Sequence, residues 1–141
     1  MSRDVILSIR GRQSYRGQKP DTIELVSEGE LSYREGGWDV CYQESELTGL
    51  AGVTTTFRVE PGKVTLTRTG NLHSQMIFEE GVSHDSLYET GFGALMITVT
   101  ARRVYFDIVP DGGTIDLVYE INIENAEAGT VDYHLDIRAK K

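Results

Sequence analysis

Apolar and polar residues alternate along most of the chain, which is the pattern of strands that bury one face. In the first segment Val5, Leu7 and Ile9 share one face, while Ser8 and Arg10 share the other. The same alternation recurs in later segments, which begin at Ile23, Trp38, Val53, Val64, Met76, Leu95, Ile115 and Val131. No segment has the spacing of a convincing amphipathic helix. We therefore predict an all-β protein of about eight to ten strands.

Turn residues lie between these alternating segments. Pro61-Gly62 fits a type II turn, and Asp111-Gly112 fits a tight hairpin. Short connections favour antiparallel neighbours, and closing such a sheet into a barrel leaves no exposed edge. The pattern predicts a single antiparallel β-barrel domain that spans residues 1–141.

One long segment changes phase. Its inward positions are odd up to Val99 and even from Val104 onward, with Arg102-Arg103 between them. A β-bulge in one long strand or a very tight turn would each shift the phase by one residue. The sequence leaves both interpretations open.

Charge and cysteine content narrow the class of protein. The 141 residues include 22 acids and 14 bases, a formal net charge of −8, which argues against nucleic-acid binding. Cys41 is the only cysteine, so no internal disulfide is possible. No stretch approaches the length of a membrane span, and the N-terminal apolar run is too short for a signal peptide. We expect a cytoplasmic protein without a nucleic-acid or membrane partner, and the sequence indicates no oligomeric state.

Acidic residues concentrate in the C-terminal part of the chain. Residues 104–137 contain eight acids and no lysine or arginine. This region is either a solvated face that resists aggregation or a docking face for a basic partner. Arg10 and Arg12 would complement these acids if the N-terminal strand closes the barrel beside the last strands.

Two charged residues fall in phase with apolar rows. Glu44 follows Trp38 and Tyr42 at even spacing, and Arg68 follows Leu66. If the period holds, both side chains point into the barrel, where an ionised group needs a partner because its desolvation is costly. The two residues could pair with each other, or Arg68 could anchor the carboxylate or phosphate of a small ligand. Alternatively, these strand ends already point to water.

The candidate cavity combines these two residues with apolar and tyrosine side chains of the same rows. It would bind a small amphipathic or anionic ligand, and it requires no cofactor. The predicted lining comprises Trp38, Tyr42, Glu44, Phe57, Arg68, Met76, Phe78 and Tyr88. The alternative is a packed barrel that acts as a protein-interaction module through its acidic C-terminal face. An enzyme is the third interpretation, because no nucleophile motif or metal-ligand spacing occurs and no catalytic residue can be nominated.

Short segments distributed over the chain have a characteristic order and spacing. They are residues 42–44, 47–50, 54–57, 64–70, 75–79, 88–93 and 113–119. Together they resemble the YwiB-like family, a set of small cytosolic bacterial proteins of unassigned function, over most of the chain. The resemblance implies a calycin-type, lipocalin-like β-barrel, and calycin relatives bind small, often apolar molecules inside the barrel. It implies no catalytic or ligand-binding residue for this chain.

Overall fold

Ten strands follow one another along the chain. The computed structural model describes residues 2–14, 19–46, 50–124 and 126–140, so residues 47–49 of one resembling segment lie outside the described residues. Within these ranges no helix has the length and hydropathy needed to cross a membrane. The strands are β1 (Ser2–Ser14), β2 (Asp21–Arg34), β3 (Gly37–Gln43), β4 (Val53–Glu60), β5 (Lys63–Gly70), β6 (His73–Phe78), β7 (Ser83–Thr90), β8 (Gly93–Val109), β9 (Gly112–Ile123) and β10 (Ala126–Ala139).

Each strand pairs antiparallel with its neighbours in sequence, and β1 also pairs with β10. The sheet therefore closes on itself as an up-and-down barrel. This confirms the predicted all-β class and antiparallel barrel, at the upper limit of the predicted number of strands. Closure pairs the first strand with the last, so neither is left as a free edge.

β1 closes the barrel between β2 and β10. Its register places Arg12 opposite Asp132 and Arg10 opposite His134 on β10. On the other side Arg10 lies opposite Glu24 of β2. Basic residues of β1 therefore lie opposite acidic residues on both neighbouring strands, which is the charge complementarity predicted for this closure.

β8 is one continuous strand of 17 residues with a bulge in the middle. Its pairing with β9 shifts register between Ala101 and Arg103. The bulge, and not a turn, therefore produces the change of phase seen in the sequence. The turn after β6 packs beside it, because the Gly81 amide donates to the Ala101 carbonyl at 2.8 Å and Glu80 accepts from the Val104 amide.

The pairing between β6 and β7 is short. In the described part of the chain, these strands pair only at His73 with Glu89 and at Ser74 with Tyr88. By contrast, the pairing of β8 with β9 extends over most of both strands. The wall of the barrel therefore has one junction held by few backbone hydrogen bonds.

The interior is packed at one end and open at the other. Toward the packed end, where β3, β5, β7 and β9 begin, Phe57, Phe78 and Leu117 are fully buried. Toward the open end, where the same strands finish, the inward side chains of Tyr88 and Ile123 are partly exposed. The packed end supplies most of the hydrophobic stabilisation, so a site for a ligand lies at the open end.

Candidate functional site

A cavity of about 570 Å³ occupies the open end of the barrel. Its volume lies within the range of small-molecule sites, about 300–1,000 Å³. On one side, β3 to β7 contribute most of its polar groups. On the other side, β8, β9, β10, β1 and β2 contribute most of its aliphatic side chains.

A row of polar side chains crosses the first of these sides. Thr55 lies opposite both Tyr42 and Arg68, and Ser74 lies opposite both Arg68 and Tyr88. Residues directly opposite each other on antiparallel strands point to the same face, with Cβ atoms about 4.5–5.5 Å apart. Consecutive strands therefore place hydroxyl, phenol and guanidinium groups side by side on the interior face.

Glu44 lies just past the end of β3, beside this row. Its side chain is 2% exposed, and its Oε2 accepts a hydrogen bond from Thr55 Oγ1 at 2.5 Å. The same oxygen lies 4.0 Å from Arg68 Nε. That separation allows electrostatic attraction but exceeds the length of a hydrogen bond. The structure brings the two charged residues together without a hydrogen bond between them.

Two buried polar atoms of the row have no hydrogen-bond partner among the described residues. They are Arg68 Nε and Ser74 Oγ. Most buried polar groups in proteins are hydrogen-bonded, and an unsatisfied one costs about 1–3 kcal/mol. Because Arg68 and Ser74 are opposite each other on β5 and β6, the unmet hydrogen-bonding capacity is concentrated at one point of the wall.

Three tyrosines lie at the base of the cavity. The hydroxyl oxygens of Tyr42 and Tyr133 are 3.5 Å apart. Burial raises the pKa of Tyr42 and of Tyr119 to about 12 and raises the pKa of Tyr133 well above its usual value. The charge of Arg68 acts on each pKa in the opposite direction and more weakly, so the guanidinium is near all three phenols. These phenols are protonated at neutral pH and can donate hydrogen bonds.

The lining changes from polar to aliphatic between the base and the mouth of the cavity. Along β9 the inward side chains run from Tyr119, which is 6% exposed, to Ile121 and Ile123, which are partly exposed. At the mouth Ile23 is 55% exposed and Leu95 is 44% exposed. A polar base below an aliphatic entrance suits an amphipathic molecule.

Known families and solved structures place the chain among its relatives. Residues 7–137 match a family described as a domain of unknown function, DUF1934. The chain is a DUF1934 protein. The crystal structure of the ywiB protein from Bacillus subtilis matches it with a TM-score of 0.89 and 18% sequence identity, over 99% of this chain and 94% of that chain. No curated protein matches it.

These matches confirm the resemblance to the YwiB-like family. At 18% identity, the structural match establishes the fold of the DUF1934 protein alone. Proteins that share a fold often differ in function, so the function has to be inferred from the side chains of the site.

The predicted lining residues of the DUF1934 protein divide according to their depth in the barrel. Those that line the cavity are Tyr42, Glu44, Arg68, Met76 and Tyr88. Phe57 and Phe78 lie below them in the packed core, with ring centroids 5.5 Å from Tyr133 and 4.7 Å from Tyr119. Trp38 is partly buried and packs against the same core.

Sequence reasoning did not single out Thr55, Ser74 or Gly11 as part of the site. Thr55 and Ser74 share the inward phase of Phe57 and Met76, so alternation was enough to place them inside the barrel. Gly11 lines the cavity without a side chain. Its role is to leave space, which the periodicity of side chains does not reveal.

The acidic C-terminal face of the DUF1934 protein carries its own ion pairs. His134 Nδ1 lies 2.5 Å from Asp116 Oδ1, and its Nε2 lies 3.2 Å from Asp136 Oδ2. The hydrogen bond to Asp116, with a further contribution from Asp136, raises the pKa of His134. Arg102 pairs with Glu120 on the same face. Among the described residues, no group of three or more His, Cys, Asp or Glu is placed to hold a metal ion.

Proposed function

We propose that the protein is a cytoplasmic binding protein for a small amphipathic or anionic molecule, which occupies the cavity at the open end. The observation that carries the proposal is Arg68 Nε, a buried donor of a cationic group that lacks a hydrogen-bond partner among the described residues. An anionic group docked on this guanidinium would form charge-assisted hydrogen bonds, which are among the strongest in proteins.

Burial of the apolar part of the ligand would supply the second contribution to binding. Ile121, Ile123 and Val131 line the cavity and are only partly buried. Covering such side chains is favourable by about 25 cal/mol per Å² of apolar area removed from water. An acid with a hydrocarbon or aromatic body would use both parts of the cavity, whereas a wholly polar anion would use one.

The acidic C-terminal face is the weaker candidate for the function. Asp111 pairs with Arg3, Glu120 pairs with Arg102, and two further carboxylates flank His134. Carboxylates that already pair within the chain present less uncompensated negative charge to a basic partner. For this reason we place the function in the cavity.

A thermal-shift screen tests the proposal. The probes are saturated fatty acids, aromatic acids and acyl phosphates. A ligand at a concentration of about 100 Kd stabilises the folded state by about 2.7 kcal/mol, which raises the Tm measurably. We expect at least one class of acid to raise the Tm of the parent. Most of that rise should be lost in Arg68→Met, which keeps much of the stem of the side chain and removes its charge.

Arg138→Met is the matched control. Arg138 is an exposed arginine of β10 that does not line the cavity. This variant should keep the full shift with every acid that stabilises the parent. The proposal fails if no acid raises the Tm of the parent, or if Arg68→Met responds as strongly as Arg138→Met.

A further inference from the structure

We infer that the ligand is an aliphatic monocarboxylate that enters the cavity carboxylate first, with its hydrocarbon tail lying along the wall toward the mouth. This inference rests on the proposed function, because it names the chemistry and the direction of the molecule bound at that site. Three features carry it: the charge at the base of the cavity, the order of side chains along the wall, and the length of the aliphatic part.

The charge at the base of the cavity fits a monoanion. Arg68 supplies one positive charge there, and the Glu44 carboxylate lies beside it, with Oε2 4.0 Å from Arg68 Nε. With a carboxylate ligand the three groups sum to about −1, and with a phosphate dianion they sum to about −2. Uncompensated charge is costly away from water, so this site favours the carboxylate.

Neutral hydroxyl donors surround the same point. Tyr42 and Tyr133, whose hydroxyl oxygens are 3.5 Å apart, lie beside Glu44 and Arg68. The pKa of Tyr42, raised to about 12 by burial, keeps its phenol protonated. A carboxylate offers two acceptor oxygens, which can be shared between the guanidinium and the phenols. An ester or alcohol offers no negative charge to Arg68.

The direction of the ligand follows from the order of side chains along two strands. From the base toward the mouth, β9 presents Tyr119, Ile121 and Ile123, and β10 presents Tyr133 and Val131. A molecule bound carboxylate first places its head among the phenols and its tail along the aliphatic residues. The reverse direction would put hydrocarbon against the charged base and leave the carboxylate among aliphatic side chains, which is unfavourable at both ends.

The length of the aliphatic wall fits a medium-length chain. The four residues from Tyr119 to Ile123 extend over about 13 Å at the rise of a β-strand. An extended hydrocarbon of about ten carbons, with bonds near 1.5 Å, covers that length. It would reach Ile23 and Leu95, which are 55% and 44% exposed at the mouth. An acid with one aromatic ring is too short to cover them.

A set of compounds with the same chain length tests the head group and the direction separately. Decanoate, methyl decanoate and decyl phosphate differ only in the head group, and decanedioate has a second carboxylate at the far end. Isothermal titration calorimetry of the parent gives each Kd. We expect decanoate to bind at least about tenfold more tightly than the ester or the phosphate. Decanedioate should bind within about threefold of decanoate, because its second carboxylate stays in water at the mouth.

The outcomes separate the inference from the proposed function. Tighter binding of decyl phosphate or of the ester than of decanoate overturns the assignment of a carboxylate. A loss of more than about tenfold with decanedioate overturns the direction. In each of these cases a ligand still occupies the cavity, so the proposed function stands. If none of these compounds binds and no acid of the thermal-shift screen binds, both are wrong.

Gly11 offers a variant that fills the cavity without changing its charge. A Cβ at this position meets Tyr133 Cδ2 at 3.8 Å, an ordinary contact, and the φ of Gly11 is not positive. Gly11→Val should weaken decanoate binding by at least about tenfold. Gly91→Val is the control, because Gly91 is exposed in a connection and has open space around it.

A second measurement keeps the test decisive if Gly11→Val does not fold. Arg68→Met should bind decanoate and methyl decanoate with equal affinity, because it removes the charge that distinguishes the acid from the ester. Retention of the parent's preference for decanoate in Arg68→Met, or unchanged affinity in a folded Gly11→Val, overturns the inference.

Discussion

Ser74 lies directly opposite Arg68 on the neighbouring strand, and Ser74 Oγ and Arg68 Nε are both buried without a hydrogen-bond partner among the described residues. Two such atoms side by side are a cost to the free protein, because each has lost its hydrogen bonds to water. A ligand or ordered water that satisfied them would offset that cost. The stability of this part of the wall is therefore linked to what occupies the cavity.

The pair of Glu44 and Arg68 should contribute little to the stability of the free protein. Their closest charged atoms are 4.0 Å apart and share no hydrogen bond. A double-mutant cycle with Arg68→Met and Glu44→Gln should therefore give a coupling free energy below about 1 kcal/mol. Urea denaturation measures it. A coupling of about 3–5 kcal/mol would instead indicate a tightly hydrogen-bonded buried pair.

The hydroxyl of Thr55 should contribute more to stability than that of its neighbour Thr56. Thr55 is fully buried and donates to Glu44 Oε2 at 2.5 Å. Thr55→Val keeps the shape of the side chain and removes this donor. The free energy of unfolding should fall by about 1.5–3 kcal/mol, the contribution of a hydrogen bond to a charged group. In the control Thr56→Val, on the outward face of the same strand, the change should stay within about 0.5 kcal/mol. Equal effects of the two substitutions in urea denaturation would contradict this assignment.

Alanine at Gly113 should destabilise the protein much more than alanine at Gly62. Both glycines have positive φ, +147° and +76°. A Cβ at Gly113 would lie 2.0 Å from the Asp107 carbonyl oxygen, whereas a Cβ at Gly62 meets nothing within 4 Å. Gly62→Ala should cost about 1–2 kcal/mol through backbone strain alone. Gly113→Ala should cost at least about 3 kcal/mol, because the contact between β8 and β9 must also open. Similar urea midpoints for the two variants would show that the β8–β9 contact is looser than described.

The stability of the protein should fall as the pH rises through the pKa of His134. The hydrogen bond to Asp116 on β9, assisted by Asp136 on β10, raises this pKa in the folded state, and Arg10 lies opposite on β1. Because the folded pKa exceeds the unfolded one, the contribution is fully present below about pH 6.5 and is lost above the folded pKa. The free energy of unfolding, measured by urea denaturation, should decrease from about pH 6 to pH 9. His134→Gln should lose most of this decrease, and an unchanged slope in that variant would contradict the assignment.

Alternation along the chain was enough to predict the barrel and the inward faces of its strands. It also placed Glu44 and Arg68 on interior faces, where the structure brings them together. Each of these inferences uses only the two-residue period of a strand, which is a local property of the sequence. The change of phase before Val104 likewise indicated either a bulge or a turn, and the pairing of β8 with β9 shows the bulge.

Depth inside the barrel could not be predicted in the same way. Phe57 and Thr55 share one face of β4, yet Phe57 lies in the packed core and Thr55 beside the cavity. The period assigns a face but not a position along the barrel axis. That position depends on the registers of all the strands together, and on the pairing of β1 with β10, which joins residues more than a hundred positions apart. For the same reason, the sequence could not separate Phe78 from Met76 as a lining residue.

The short pairing of β6 with β7 gives the barrel an unequal circumference. Two residue pairs join these strands in the described part of the chain, whereas the neighbouring β7–β8 pairing extends from Ser83 to Thr90. Separating β6 from β7 breaks the fewest backbone hydrogen bonds, so local opening of the wall begins there. Tyr88, which lines the cavity, lies at this junction. The barrel behaves as a rolled sheet fastened at one short overlap, and its girth at the level of the ligand is elastic rather than fixed.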